Sequence, residues 1–238
     1  MKKLEKWLPI LGITAFGLIQ ALPIVAAPSG HTLTTLTIYV SNYAGVDAKE
    51  LAEAEGVATS VFRNSGVTTK WVDAKVVSNV QYADRKDENL LRFSQIQVHI
   101  QLSSMAGSLG LSNEVIGLAP GSGPGRQLVY VFYDRVKELA QRQVTAQLKG
   151  DMVARAGGCR ILGEMIAHEI GHILLNLPAH SATGIMRGGW DLKDLQDVAY
   201  GELLFTKQQS KVIETEVIRR NGIDLQSESA YWATAPEW

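Results

Sequence analysis

The chain has 238 residues, 23 Lys+Arg against 24 Asp+Glu and a formal net charge of -1, which excludes the basic footprint of a nucleic-acid binder. Apolar residues at 46% and charged residues at 20% describe a folded domain, long enough to bury a core without cross-links, and exclude a disordered chain. The single cysteine, Cys159, excludes an internal disulfide and a Cys-based structural zinc site, whereas three of the five histidines fall between positions 168 and 180.

The first segment reads as an export signal. Lys2, Lys3 and Lys6 form a positive start, diluted by Glu5, and an apolar stretch follows over residues 7–27, interrupted by Pro9, Gln20 and Pro23. Small residues at Ala26, Ala27 and Ser29 supply the cleavage boundary, with the cut after Ala27 or after Ser29. Residues 1–29 are therefore assigned to a signal peptide and 30–238 to one domain, exported to the periplasm or medium of a bacterium. The alternative is an uncleaved anchor, since the stretch just reaches bilayer length.

Leu36, Ile38 and Val40 alternate with Thr37 and Tyr39, which predicts a first strand. A helix follows from Asp47, where Asp47 and Glu50 have capping-box spacing and Leu51, Ala54, Val57, Ala58, Val61 and Phe62 recur at helical intervals. Gly66 supplies the left-handed stop, and a second strand over residues 67–72 completes a parallel βαβ unit. Residues 82–91 form a mixed-charge connection. Ile96, Val98, Ile100 and Leu102 then alternate with Gln95, Gln97, His99 and Gln101, and His99 is an ordinary residue of that polar face.

A short strand is expected over residues 115–119. The glycine-rich run at 120–125 lacks the Gly-Lys-Ser/Thr ending of a phosphate loop and reads as a connection. Residues 128–133 are an unbroken apolar run suited to a central buried strand, followed by a helix over 134–148.

The chemistry is concentrated in His168-Glu169-Ile170-Gly171-His172, an H-E-x-x-H motif. Ile161, Met165, His168, His172 and Leu175 recur at alternating spacings of four and three, so both imidazoles project from one helix face a turn apart, as two ligands of one metal require. Glu169 is rotated by about 100° from His168, a position suited to a general base acting on water held at the metal. Asn176 can end the helix in a left-handed conformation and Pro178 forbids its continuation, which returns His180 toward the metal as third ligand. Glu202 and Glu214 are the alternative third ligands.

These residues, with Ser181-Ala182-Thr183-Gly184-Ile185-Met186 after them, resemble the active site of the metzincin clan of zinc metallopeptidases. The family pattern is H-E-x-x-H-x-x-G-x-x-H followed by a turn carrying a methionine. Here the third histidine comes two residues late, Leu175 stands in place of the glycine, and no tyrosine follows the turn. The resemblance implies His168, His172 and His180 as ligands of one Zn2+, Glu169 as general base and Met186 as the hydrophobic floor. It also implies an α/β (α+β) zincin fold: a twisted mixed sheet, an active-site helix and a smaller lower half running from Asn176 to the C-terminus.

The expected activity is that of an exported endopeptidase acting on peptide or protein substrates, with zinc-bound water activated by Glu169. The resemblance further implies that an extended substrate would align on the edge strand near residues 116–119. A gluzincin-type hydrolase with a downstream glutamate ligand, or a non-enzymatic metal module, are the competing readings. Nucleic acid is not an expected partner, and a membrane is one only if the N-terminal segment stays uncleaved. Around the motif, Glu164 reads as a solvated residue with a supporting role as alternative, and Cys159 as a small buried residue preceding the helix. Trp71 and Trp190 read as packing residues or cleft walls. In residues 206–220, Val212, Ile213, Val217 and Ile218 are the expected apolar stripe, with Glu214 on the solvated side.

Overall fold

The computed structural model describes residues 34–74, 93–120, 127–147, 157–176 and 180–234. The expected signal segment, the mixed-charge connection, all of the glycine-rich run but Pro120, and Pro178 lie outside these residues. Among the described residues the fold is mixed α/β, with one five-stranded sheet and six helices. None of these helices is long and apolar enough to cross a membrane.

The chain opens with β1 (Thr35–Asn42), α1 (Ala48–Arg63) and β2 (Thr68–Asp73), and β1 and β2 pair in parallel as the strand-helix-strand spacing requires. At the start of α1, the Asp47 carboxylate accepts the Lys49 and Glu50 amides. The expected reciprocal half of the capping box is not made. Glu50 instead accepts the hydroxyl of Tyr133 at 2.6 Å, a long-range partner that local spacing does not reveal. Gly66 closes the helix with a φ of 76°.

The sheet continues through β3 (Gln95–Gln101), which is followed by the short α2 (Ser103–Ser108), then β4 (Gly117–Leu118) and β5 (Leu128–Phe132). Strand order is β2-β1-β3-β5-β4; only the β4–β5 pair is antiparallel. β5 is thus flanked on both sides but lies next to the edge, not at the centre, and one of its faces carries the half-buried Leu128 and Tyr130. The core face of the sheet presents Leu36, Ile38, Val40, Ile96, Val98, Ile100, Val129 and Val131. On the opposite face His99 stacks edge-on between Tyr43 and Tyr130, an aromatic role in keeping with an ordinary strand residue.

After α3 (Tyr133–Gln147) comes α4 (Gly158–Leu175), which carries the histidines through the middle of the molecule. Its residues from Ile161 to Gly171 are all buried, because α1, α3, β4, β5 and two later helices pack around it. A helix apolar on nearly every side is a central helix, and each fully buried Leu or Ile adds about 1.5–3 kcal/mol. Gly163 permits the crossing with α1, since a Cβ there would lie 2.7 Å from Cβ of Val57. Cys159 sits inside the first turn of α4, half-exposed against Glu53 at 3.2 Å, rather than buried ahead of the helix.

The last two helices are α5 (Leu192–Tyr200) and α6 (Lys207–Thr234). The expected lower half is limited to the loop from His180 and α5, because α6 returns to pack on α4 and β1. The Asn221 amide donates to Thr35, and the Asp224 carboxylate accepts the Phe93 and Ser94 amides at the start of β3. The buried stripe of α6 is Ile213, Val217, Arg220 and Asp224, while Val212 and Ile218 face solvent. The stripe is rotated from the expected one because two of its inner positions are polar and paired.

Candidate metal centre

The site begins with a stretch of α4 in which His168 and His172 stand one turn apart. Their Nε2 atoms lie 3.1 Å from each other. The helix ends at Asn176, whose φ of 51° is the left-handed cap that the sequence predicts. On the far side of that turn His180 comes back, and one ring nitrogen from each of His168, His172 and His180 falls within 4.8 Å of the other two. The late third histidine therefore reaches the same point as the helical pair.

His168 is fixed by a hydrogen bond at 2.6 Å between Nδ1 and the Ile185 carbonyl oxygen. A carbonyl only accepts, so Nδ1 carries the proton and Nε2 presents its lone pair toward His172. Burial holds the His168 imidazolium down to about 4, with His172 and His180 adding in the same direction and the Ile185 carbonyl opposing. The ring is thus neutral at physiological pH, the form that ligates a metal. Two donors held by one tetrahedral ion at ~2.0–2.1 Å stand about 3.3 Å apart, close to the observed separation. The donor set fits a divalent ion that favours nitrogen.

The loop after His180 completes the floor. Gly184 (φ 74°) lets the chain lie against the Leu204 carbonyl, and the Ile185 amide donates to that carbonyl at 3.0 Å. Met186 is buried beneath the helix, where a Cβ at Gly171 would meet its Sδ at 2.6 Å and the Phe205 ring at 2.8 Å. Gly171 is the gap in the helix that admits Met186. Trp190 packs edge-on against His168 and donates from Nε1 to the same Ile185 carbonyl at 3.3 Å. Trp71 is remote from this loop and bonds to Thr59 of α1.

Glu169, one residue along the helix from His168, reaches the edge strand. A Cβ on Gly117 of β4 would stand 2.7 Å from its Cδ, so only glycine leaves it room. Burial pushes the carboxyl up to about 8, while the Ala119 N–H donated to it acts in the opposite sense. In the ladder, Phe132 donates to Ile116 and Leu118 pairs with Tyr130, so Gly117 turns its backbone groups outward. The strand expected over residues 115–119 is present as β4; what sequence spacing does not reveal is that Gly117 makes room for the Glu169 carboxyl.

Glu164 corrects the expectation of a solvated residue. It is 1% exposed, neither carboxylate oxygen has a hydrogen-bond partner among the described residues, and burial pushes its pKa up to about 8 against the pull of Arg160. The alternative ligands are not gathered with the histidines. Glu202 is exposed at the end of α5, and the Glu214 carboxylate lies against Gly66 behind α1. Among the described residues, the cluster able to hold a metal is His168, His172 and His180. Compared with known proteins, the chain is matched by no family model, no curated protein and no solved structure.

Proposed function

We propose that the protein is an exported zinc-dependent endopeptidase with a metzincin-like active site. The observation that carries this reading is the convergence of three imidazoles beside a buried carboxylate one residue along the helix. His168, His172 and His180 would hold the ion, which when bound supplies a Lewis acid and lowers the pKa of water toward neutrality. An all-imidazole set leaves the ion more electropositive than a set containing a carboxylate would.

The remaining work belongs to the chain's own side chains. Ile185 fixes the His168 tautomer through its carbonyl, and Met186 and Phe205 exclude water from beneath the ligand turn. Glu169 takes the proton from the attacking water on its carboxylate oxygen and returns it to the leaving amine. Its burial keeps solvent from competing for the proton it holds during turnover. The outward backbone of Gly117 beside that carboxylate supports alignment of an extended peptide along β4. Glu202 and Glu214 stand apart from the three imidazoles, which supports the metzincin-like reading over a gluzincin-type site.

The deciding experiment is metal analysis of the purified mature chain together with cleavage of casein or a peptide library. One equivalent of zinc and chelator-sensitive cleavage are expected. A chain that binds no zinc, or one that cleaves equally well with the metal stripped away, would overturn the proposal.

A further inference from the structure

We propose that Gly188 is a positioning residue for the third imidazole: the side chain it lacks is the space in which His180 is seated. This rests on the reading of His180 as a metal ligand. A Cβ at Gly188 would stand 2.7 Å from both Cγ and Nδ1 of His180 and 3.1 Å from its Cβ. Such distances force a displacement. Because the root of the side chain is involved as well as the ring, rotation of the imidazole alone does not relieve the contact.

The neighbouring glycine makes the argument specific. Among the described residues nothing lies within 4 Å of a would-be Cβ on Gly189, and neither Gly188 nor Gly189 has a positive φ. Neither position needs glycine for its backbone, so an added methyl tests space and nothing else. Only the space at Gly188 is spoken for.

The loop cannot yield easily. Arg187 Nη1 donates to Asp191 and to Asp194, each at 2.7 Å, and Asp194 also accepts the Asp191 amide at 2.8 Å. Trp190 is bonded to Ile185, and the Ser181 amide donates to Met186 at 2.8 Å, tying the two ends of the loop together. The same braced loop thus orients two of the three rings, His168 through the Ile185 carbonyl and His180 through the gap at Gly188. His180 is itself exposed, so this wall supplies a restraint that burial gives to His168.

The test is titration of the metal-free full chain with Co2+ and Zn2+, following the visible absorption of the cobalt form and competition with a chelator. G188A should bind both ions ~10–100-fold more weakly than the parent, the usual cost of disturbing a group that orients a ligand, with a changed cobalt spectrum. G189A should match the parent in affinity and spectrum. R187A, which releases the brace without adding an atom, covers the case of G188A failing to fold and should also weaken binding. In R187A/G188A the losses should be less than multiplicative, since a loosened loop carries the methyl away from the ring. Parent-like binding by G188A, or by R187A where G188A does not fold, overturns the inference, as do fully multiplicative losses. H180A separates the two levels: if it binds like the parent, the ligand reading itself fails; if it is weakened while G188A is not, only the role of Gly188 does.

Discussion

The two sides of the candidate centre are built by different means. His168 and His172 stand on α4, whose surroundings bury nearly every side, and the 3.6-residue period alone brings their Nε2 atoms to 3.1 Å. His180 is exposed on a loop and reaches the same point through a left-handed cap, a tight turn at Gly184 and a wall at Gly188. On the helix, position is a consequence of regular structure and packing. On the loop it depends on particular contacts, so a single methyl there should matter as much as a buried one in the core.

The largest expected effect separates ligation from chemistry on the helical side. Glu169→Gln should retain stoichiometric zinc while hydrolysis falls by roughly 10²–10⁴-fold, the usual worth of a general base. Loss of zinc in that variant would make Glu169 a ligand; unchanged turnover would remove it from the mechanism. Next comes the loop side. His180→Ala should weaken zinc by more than about 100-fold, beyond what loss of an outer partner costs, whereas Glu202→Ala and Glu214→Ala should bind normally. A metal titration of the three proteins decides between them.

Glu164 offers a third test, one turn before His168. Its carboxyl ordinarily titrates at 4.5 and is raised to about 8 by burial. The native state therefore holds this proton more tightly than the unfolded chain does. Its contribution to stability is fully present below pH 4.5 and is lost as pH rises through 8. Glu164→Gln carries no such titration. In chelator, denaturant unfolding should show the variant within about 1 kcal/mol of the parent at pH 5 and roughly 4–5 kcal/mol more stable at pH 9. Parallel pH profiles would mean that the carboxylate gains a partner in solution.

A smaller effect probes the join between the two sides. Gly171→Ala places a methyl against Met186 and Phe205 and should destabilise by about 1–3 kcal/mol through overpacking, in part offset by the ~1 kcal/mol helix preference of alanine. Thermal unfolding measures it, and a stabilised variant would show that the floor shifts freely. Smallest of all, Val212→Lys and Ile218→Lys should change stability by under ~0.5 kcal/mol because both face solvent, while Val217→Ala costs well over that.

The same contrast divides what is legible in the amino-acid sequence from what only packing decides. α4, its cap at Asn176, the parallel β1–α1–β2 unit and the return of His180 are local matters of period, spacing and turn chemistry, and the chain states them directly. Apart from the start of α4 at Gly158, which takes in Cys159, the misses are long-range. Glu50 leaves its helix cap for Tyr133, α6 turns Arg220 and Asp224 inward to serve Phe93 and Ser94, and Glu164 is buried by whole elements packing around α4. The roof over Glu169 and the wall beside His180 are glycines, whose meaning lies in what approaches them. On α4 itself a faint signal of such packing is present. Gly163 and Gly171 interrupt an otherwise strong helix former at a cost of ~1 kcal/mol each, which marks close approach on those faces.

The most direct test of the centre is X-ray absorption at the zinc edge of the loaded full chain, where multiple scattering counts imidazole rings. Three imidazole nitrogens and one light oxygen at ~2.0–2.1 Å are predicted, falling to two imidazoles in His180→Ala. Two imidazoles and a carboxylate in the parent protein, unchanged in His180→Ala, would contradict the assignment.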